Sequence, residues 1–499
     1  MIATARLLIA GGRVLGQGAD PHLPAIADLR IDGGRVAAIG RGLEAEGARV
    51  IDARGKLVIP GFVNAHYHSH DVFLKGYFEP QPLEQWVLNA LPRNYPPRSP
   101  AEIRARTLLG AVECIRGGIT TIQDMVTLFP MSGEQVDAVV NAYAESGLRT
   151  VLALQVADTG PLDTVPYWRE TIPAELQSML GGGGPGPDLV ARVAAELAAR
   201  MGRHSRITWA LAPSSPERCS RTMLERLAAL AERHTLPVFT HLYISKAEAV
   251  NARLNFGASQ GSLIRLLKEV GLLGPRLGLA HGVWLAPDEI ALIADAGTGL
   301  ILNPVSNLKN KNGVAPIRDL IAAGVDLALG CDNCSCTDAQ NMFQAMKAMC
   351  LLAAVSDPEA GPPDAFDAIR AATEGGARRT GLADEIGHIA VGKKADLAIL
   401  DLADPAFVPL NSVPRQIVYG ESGRGVETVI VDGAVVMEDR VIKTVDEAAL
   451  RAEVDAAMAG FRADAAAVIA RNEKLAPYIR AADRRIWSHD LGFRRYVGR

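Results

Sequence analysis

The sequence predicts an α/β chain organised around a (β/α)₈ (TIM) barrel, with a small composite β-sandwich beside it. Three observations carry that prediction. Eight apolar, β-like runs between residues 57 and 333 alternate with helical patterns. Those runs are continuously apolar, which marks strands buried on both faces and hence a parallel sheet wrapped by helices. The two ends of the chain carry a different strand style, short and broken by Gly turns.

In chain order the barrel runs are LVIPGFVNAH (57–66), ITTIQDMV (119–126), RTVLALQV (149–156), ITWALAPSS (207–215), PVFTHLY (237–243), LGLAHGVWL (277–285), GLILNPVSN (299–307) and DLALGCDN (326–333). Segments such as EIRARTLLGAVECIRGG and EQVDAVVNAYAESG lie between them, with apolar residues at i, i+3 and i+4 and a glycine stop. At the ends, LLIAGGRVLG, ADLRIDGGRVAAIG and ARVIDARGKL are matched in style by GKKADLAILDL (392–402) and VETVIVDGAVVMEDRVI (426–442). The expected division is therefore 1–56 with 388–445 as the sandwich, 57–387 as the barrel, and 446–499 as Ala-rich terminal helices packing on the barrel. GGGGPGPD (181–188) reads as loop; it lacks the GK[ST] of a phosphate-binding loop and carries no catalytic weight.

Composition excludes several classes. Hydrophobic residues make up 48% and charged residues 22% of the 499, as in a soluble protein with a large core. A formal net charge of −4 gives no basic surface for nucleic acid or anionic membrane. No apolar run approaches the roughly 20 residues of a membrane helix, and the N-terminus lacks a charged start and cleavage site. A cytoplasmic protein is expected. The six cysteines form no disulfide framework, and CDNCSC (331–336) offers no second CxxC and no nearby histidine, so these read as small buried residues.

The chemistry is concentrated in PGFVNAHYHSHD (60–71), which spends three of the chain's ten histidines in five positions. His66 and His68 alternate, so on one strand they point to the same side and one ion can take both. They end the first barrel strand, at the face where barrel active sites are built. His241 ends the fifth strand, His281 the sixth and Asp332 the eighth, all at that same face. Imidazole and carboxylate suit Zn²⁺ or Fe²⁺, and three or four protein ligands with an open position describe a catalytic site. His66 and His68 are accordingly read as metal ligands. His70 is a candidate substrate contact, with loop packing as its alternative.

With PGFVNAHYH, ECIRGGITTIQD (113–124), APSSPERCS (212–220), THL (240–242), LAHGVWL, NPVSNLK (303–309), GCDN and the closing GKKADLAILDL and VIVDGAVV, the chain resembles the amidohydrolase superfamily over nearly its whole length, in the branch of cytosine deaminase and triazine chlorohydrolase. The resemblance implies a distorted (β/α)₈ barrel with a composite β-sandwich. It implies one divalent metal, Zn²⁺ with Fe²⁺ as the alternative, on His66, His68, His241 and Asp332, and gives His281 the task of polarising substrate or positioning the attacking water. Binuclear relatives use a carboxylated lysine on the fourth strand; ITWALAPSS has none, so a single metal is expected. One departure matters. Deaminases of this branch carry HxxE after the fifth strand, where the glutamate shuttles a proton. This chain reads HLYISKAE, placing Ile244 at that position, with Glu248 four residues on and expected to point elsewhere.

Metal coordination would lower the pKa of bound water from about 15.7 towards about 7. Asp332 is expected to take the water proton and return it to the leaving group, while His281 stabilises charge on the attacked centre. Without a glutamate at 244, the weight falls on hydrolysis of a non-peptide C–N bond in a small cyclic or heterocyclic substrate. The alternatives are deamination of a purine, pyrimidine, pterin or triazine, or dechlorination, and last a non-catalytic assembly protein. Substrate contacts are expected from Tyr77 and Trp86 in GYFEPQPLEQW (76–86), from Trp284 and from Asn307. The partner expected is a small molecule, with neither nucleic acid nor membrane, in a homodimer of the kind common in the family.

Overall fold

The computed structural model describes residues 6–180, 188–356, 359 and 361–496; of the loop 181–188, residues 181–187 lie outside the described residues. The parallel strands run β1 (Phe62–His68), β2 (Ile119–Val126), β3 (Arg149–Val156), β4 (Ile207–Pro213), β5 (Val238–Leu242), β6 (Leu277–His281) and β7 (Gly299–Leu302). The eighth, β8, comes in two pieces, Leu327–Leu329 and Asp332–Asn333. The first piece pairs with β7 and the second with β1, through Asp332 opposite Tyr67 and Asn333 opposite His68, so the ring closes. Helices fill the connections, capped as their sequences allow. Ser99 accepts from Glu102 N, Ser132 from Gln135 N, and Gly147 ends its helix at φ 77°.

The first barrel strand differs from its expected span. The run Leu57–His66 is not one strand: Lys56–Pro60 belongs to the terminal sheet, and only Phe62–His68 enters the barrel. The break falls at Gly61, whose backbone lies so close to Thr120 that a Cβ would sit 2.2 Å from its side chain. The terminal sheet's last N-terminal strand thus runs on to Pro60, into the segment expected to belong to the barrel. The seventh run also stops early, at Leu302, because Pro304 opens the helix Pro304–Lys309.

The ends of the chain meet in one nine-stranded sheet. Lys56–Pro60 lies antiparallel to Leu397–Asp401, joining the N-terminal strands to the C-terminal ones. Leu7, Ile9, Leu29 and Ile31 from one arm share a core with Leu397, Ile399 and Ile430 from the other. The helices Glu447–Glu473 and Ala476–Ser488 follow; Phe461 stacks on Tyr95 at 5.6 Å and meets Phe73 edge-on. Among the described residues, no helix is long and apolar enough to cross a membrane.

Sheet and barrel are fastened by a buried ion pair. Arg149, opening β3, donates from Nε and Nη2 to the two carboxylate oxygens of Asp396 at 2.8 and 2.9 Å. Asp396 Oδ1 also accepts the backbone N–H of Asp432. Removing one partner leaves the other charge buried, a loss of about 3–5 kcal/mol. Asp396→Ala should lower the urea midpoint by that equivalent, while Arg221→Ala, at an exposed and solvent-screened pair with Glu225 and Glu269, should leave the midpoint nearly unchanged.

Candidate metal centre and substrate pocket

Five side chains from four strands converge at the mouth of the barrel. His66 and His68 alternate on β1, His241 is on β5, His281 closes β6 and Asp332 lies on the second piece of β8; all five are buried. His281 and Asp332 hold left-handed backbone, at φ 78° and 67°. Such strain costs about 1–3 kcal/mol per residue and is kept where the surroundings enforce it.

Hydrogen bonds fix the tautomers. His68 Nδ1 faces Met125 O at 2.6 Å, and His241 Nδ1 faces Ser214 O at 2.5 Å. A carbonyl oxygen only accepts, so each Nδ1 carries a proton, and each ring in its neutral form turns a bare Nε2 inward. Those two Nε2 atoms lie 3.2 Å apart. Asp332 Oδ1 stands 3.4 Å from His66 Nε2 and 3.3 Å from His68 Nε2. Donors bonded at about 2.0–2.2 Å to one tetrahedral ion are separated by about 3.3–3.6 Å, so these spacings fit a shared cation. Both ring nitrogens of His66, and Nε2 of His281, are buried without a hydrogen-bond partner among the described residues. Nitrogen and oxygen donors from His66, His241, His281 and Asp332 fall within 4.8 Å of one another, and His68 adds a fifth donor against His241 and Asp332. This is a His/Asp site that fits a metal ion.

The electrostatics favour unprotonated rings at His66, His241 and His281, whereas at His68 burial is outweighed by contact with Asp332, which raises it. Burial brings His66 down to about 4 and holds His241, crowded also by His66 and His68, well below its ordinary value. Burial opposes ionisation of Asp332, yet His66 and His68 hold its carboxyl well below the usual carboxylate range. His281 Nδ1 lies 2.9 Å from Asn307 Oδ1. In that arrangement Nδ1 carries the proton and Nε2 offers a lone pair, suited to positioning a water or meeting a cation. Asp332 Oδ2 accepts from Ser306 Oγ at 2.5 Å.

Around these donors the strand ends are locked. Asn64 accepts from Cys331 N and donates to Gln340, which donates in turn to Asp332 O. Asp71 accepts from the backbone N–H groups of Cys334 and Ser335 and from Ser335 Oγ, tying the turn after β1 to the turn after β8. The cysteines of CDNCSC are buried, and burial pushes Cys334 and Cys336 up, so they stand as protonated thiols.

The cavity at the donors is small, about 40 Å³, room for a few waters. Leu83, Trp86 and Val87 of the helix Leu83–Ala90, with Leu91 and Ile244, give its apolar lining. His70, Thr127, Gln155, Arg218, Asn310 and Asn333 give a polar one. Leu83 also lines a second cavity of about 560 Å³ bounded by Glu84, Ser245, Lys311 and Trp487. Leu83–Glu84, Ile244–Ser245 and Asn310–Lys311 each straddle the two spaces, so the partition is one residue thick. Ser245 Oγ donates to Glu84 on the outer side of it at 2.5 Å.

His70 and Trp86 thus line the cavity, Trp86 donating from Nε1 to Ser335 Oγ. Asn307 stands behind His281. Two expected substrate contacts lie elsewhere. Tyr77 follows the turn Ser69–Leu74, which carries the chain outward, and it lines a separate cleft beside Phe78 and Gln81. Trp284 packs with Trp487, Phe493 and Tyr496 and donates to Asn312 O. Glu248 does not line the cavity either: its Oε2 accepts the N–H of Ile244 at 2.6 Å. Thr127, Gln155, Arg218 and Asn310 were given no role from the sequence. Thr127 and Gln155 at the ends of β2 and β3 were findable by strand-end position; nothing in the sequence pattern marks Arg218 or Asn310.

Gly330 allows β8 to pass β1, since a Cβ there would meet His66 Cβ at 2.7 Å and Asn303 Oδ1 at 2.5 Å. Gly330→Ala should therefore displace His66 and weaken binding of a divalent metal by about 10–100-fold. Titration against a chromophoric chelator checks this, with circular dichroism unchanged.

Comparison with known proteins agrees with this geometry. The amidohydrolase family model matches residues 57–436. The chain is 34% identical to a 5'-deoxyadenosine deaminase of Methanothermobacter thermautotrophicus, covering 88% of this chain and 95% of that one. It is 31% identical to a 5-methylthioadenosine/S-adenosylhomocysteine deaminase of Thermococcus kodakarensis, covering 82% and 89%. Among solved structures, an adenosine deaminase of Xanthomonas campestris with bound zinc superposes at TM-score 0.79, with 27% identity over 92% of this chain and 99% of that one. An atrazine chlorohydrolase of Arthrobacter aurescens, complexed with zinc, shares the fold at TM-score 0.79 and 24% identity, covering 90% and 99%. With its family model spanning both the donor strands and part of the terminal sheet, the chain belongs to the amidohydrolase family and is a hydrolase acting on non-peptide C–N bonds.

Proposed function

We propose that this protein holds one Zn²⁺ on His66, His68, His241 and Asp332, and hydrolyses a C–N bond of a small heterocycle beside His281. The observation that carries the reading is the pair of inward lone pairs on His68 and His241, 3.2 Å apart in a buried site. Without a cation they repel; with one they are two ligands. Zinc, when bound, supplies a Lewis acid and lowers the pKa of its water.

The residues of the chain divide the remaining work. His281 Nε2, aimed by Asn307, accepts a hydrogen bond from the attacking water and sets its line of approach. Asp332 receives the water proton and passes it to the departing nitrogen, with Ser306 steadying Oδ2 meanwhile. Trp86, Leu83 and Ile244 exclude bulk water, which strengthens each of these contacts. His70 and Trp86 are assigned to substrate, as Asn307 is to the support of His281. Tyr77 and Trp284 take no part in the cavity.

Asp332 is the only carboxylate lining the cavity among the described residues, and Ile244 fills the place of a proton-shuttling glutamate. That favours a substrate whose leaving nitrogen departs with one returned proton, as in a cyclic amide, urea or carbamate. The second reading, loss of an exocyclic ring amine, is favoured by relatives of 31–34% identity that are named as deaminases. A cytoplasmic homodimer is the assembly and location assigned with this reading, on the habit of the family.

The test is product analysis by mass spectrometry after incubating zinc-loaded protein with cyclic amides, ureas, carbamates, chlorotriazines and aminated purines, pyrimidines and pterins. Chelation should abolish turnover and zinc should restore it; His66→Ala should lose at least about 10³-fold in kcat/KM, the scale of about 4 kcal/mol. Turnover that survives metal removal contradicts the reading.

A further inference from the structure

The polar wall facing the metal ligands presents donors. Arg218, in the turn Pro216–Arg218 after β4, is the only cationic side chain other than histidine lining the cavity among the described residues. Two carboxylates flank it, but at long range. Nε lies 3.5 Å from Glu217 Oε1, and Nη2 lies 3.4 Å from Glu248 Oε1. A charge-assisted bond closes to about 2.7–2.9 Å, and a guanidinium has five N–H groups to place. These two carboxyl groups therefore flank Arg218 without engaging its donors fully. Its backbone is held, because Arg218 O accepts the N–H groups of both Asp158 and Thr159.

Other donors stand with it. Asn333 lines the same cavity, and its Nδ2 is buried with no hydrogen-bond partner among the described residues. His70 Nδ1 accepts the N–H of Thr127 at 3.2 Å, so the neutral ring bears its proton on Nε2. Gln155 accepts from Thr127 Oγ1 and donates one N–H to Ser214 Oγ, leaving its second N–H. A buried donor without a partner costs about 1–3 kcal/mol, a cost that a ligand acceptor removes.

We propose that Arg218 is a specificity-determining residue, and that the substrate is a heterocycle carrying an anionic or carbonyl oxygen that Arg218 and Asn333 bind. The inference rests on the zinc hydrolase reading above and adds the chemical class of the ring. A planar guanidinium meets a carboxylate or an oxo edge with paired N–H groups, which a ring bearing only hydrogens cannot reward.

The test measures binding, separately from turnover, by calorimetry on zinc-loaded protein whose metal content is first determined. The probes are uracil-6-carboxylate, uracil and unsubstituted pyrimidine, with xanthine and purine as a larger-ring pair. Wild type should prefer the carboxylated or oxo ring over its unsubstituted partner by at least 10-fold. Arg218→Gln should lose most of that preference, and Arg218→Lys should recover part of it, with zinc content equal in all three. Preference for the carboxylate alone would assign the oxygen as anionic; preference for the oxo rings as well would assign a carbonyl. Equal binding of substituted and unsubstituted rings overturns the proposal, as does no binding of any of them. A preference that persists in Arg218→Gln also overturns it, since a carboxylate sitting on the metal would survive that change. Failure to take up zinc would instead refute the underlying hydrolase reading.

Discussion

Two neutral imidazoles, each with Nδ1–H committed to a backbone carbonyl, point bare Nε2 atoms at one another across 3.2 Å. Much of the mouth of the barrel is arranged around that meeting. Met125 and Ser214 supply the carbonyls from the ends of β2 and β4, so strands that bear none of the five donors still set the tautomers of two of them. The acid that completes the donor set comes from the far end of the chain order, on β8. It reaches His66 and His68 because Asp332–Asn333 pairs in register with Tyr67–His68. Barrel closure and assembly of the donor set are one event.

That coupling explains the amount of buried polar structure near the site. Asn64, Gln340 and Asp71 serve no substrate-facing purpose, yet together they hold the β1 and β8 turns in a fixed relation. Each buried polar group here has to find a partner or cost stability. Of the buried polar atoms left without a partner among the described residues, those of His66, His281 and Asn333 fall at the site itself. Left-handed backbone at His281 and Asp332 follows the same pattern, with strain kept where function requires an angle that regular structure does not provide. Arg149 and Asp396 make the corresponding fixture at the opposite side, clamping the terminal sheet against β3.

Much of this was legible in the sequence because it depends on period and position. Continuous apolar runs gave the parallel strands, ITTIQDMV and RTVLALQV to the residue. His66 and His68 declared themselves by alternation, and His241, His281 and Asp332 by strand ends. The strand break at Pro60–Gly61 was hidden because both halves of LVIPGFVNAH are apolar, and only the approach of Thr120 separates them. Tyr77 and Trp284 illustrate the opposite failure: an aromatic near a strand end is equally at home in packing, and the turn Ser69–Leu74 and the C-terminal tail decide which. Arg218 and Asn310 reach the cavity through loop geometry, which leaves no periodic trace.

The most direct measurement of the central claim is the zinc K-edge absorption spectrum of the purified protein, with metal stoichiometry determined on the same sample. The account predicts one zinc per chain, surrounded only by nitrogen and oxygen at about 2.0–2.2 Å, with imidazole multiple scattering from three histidines. Sulfur scattering at about 2.3 Å, which would place Cys331, Cys334 or Cys336 on the metal, would contradict it, and so would two ions per chain.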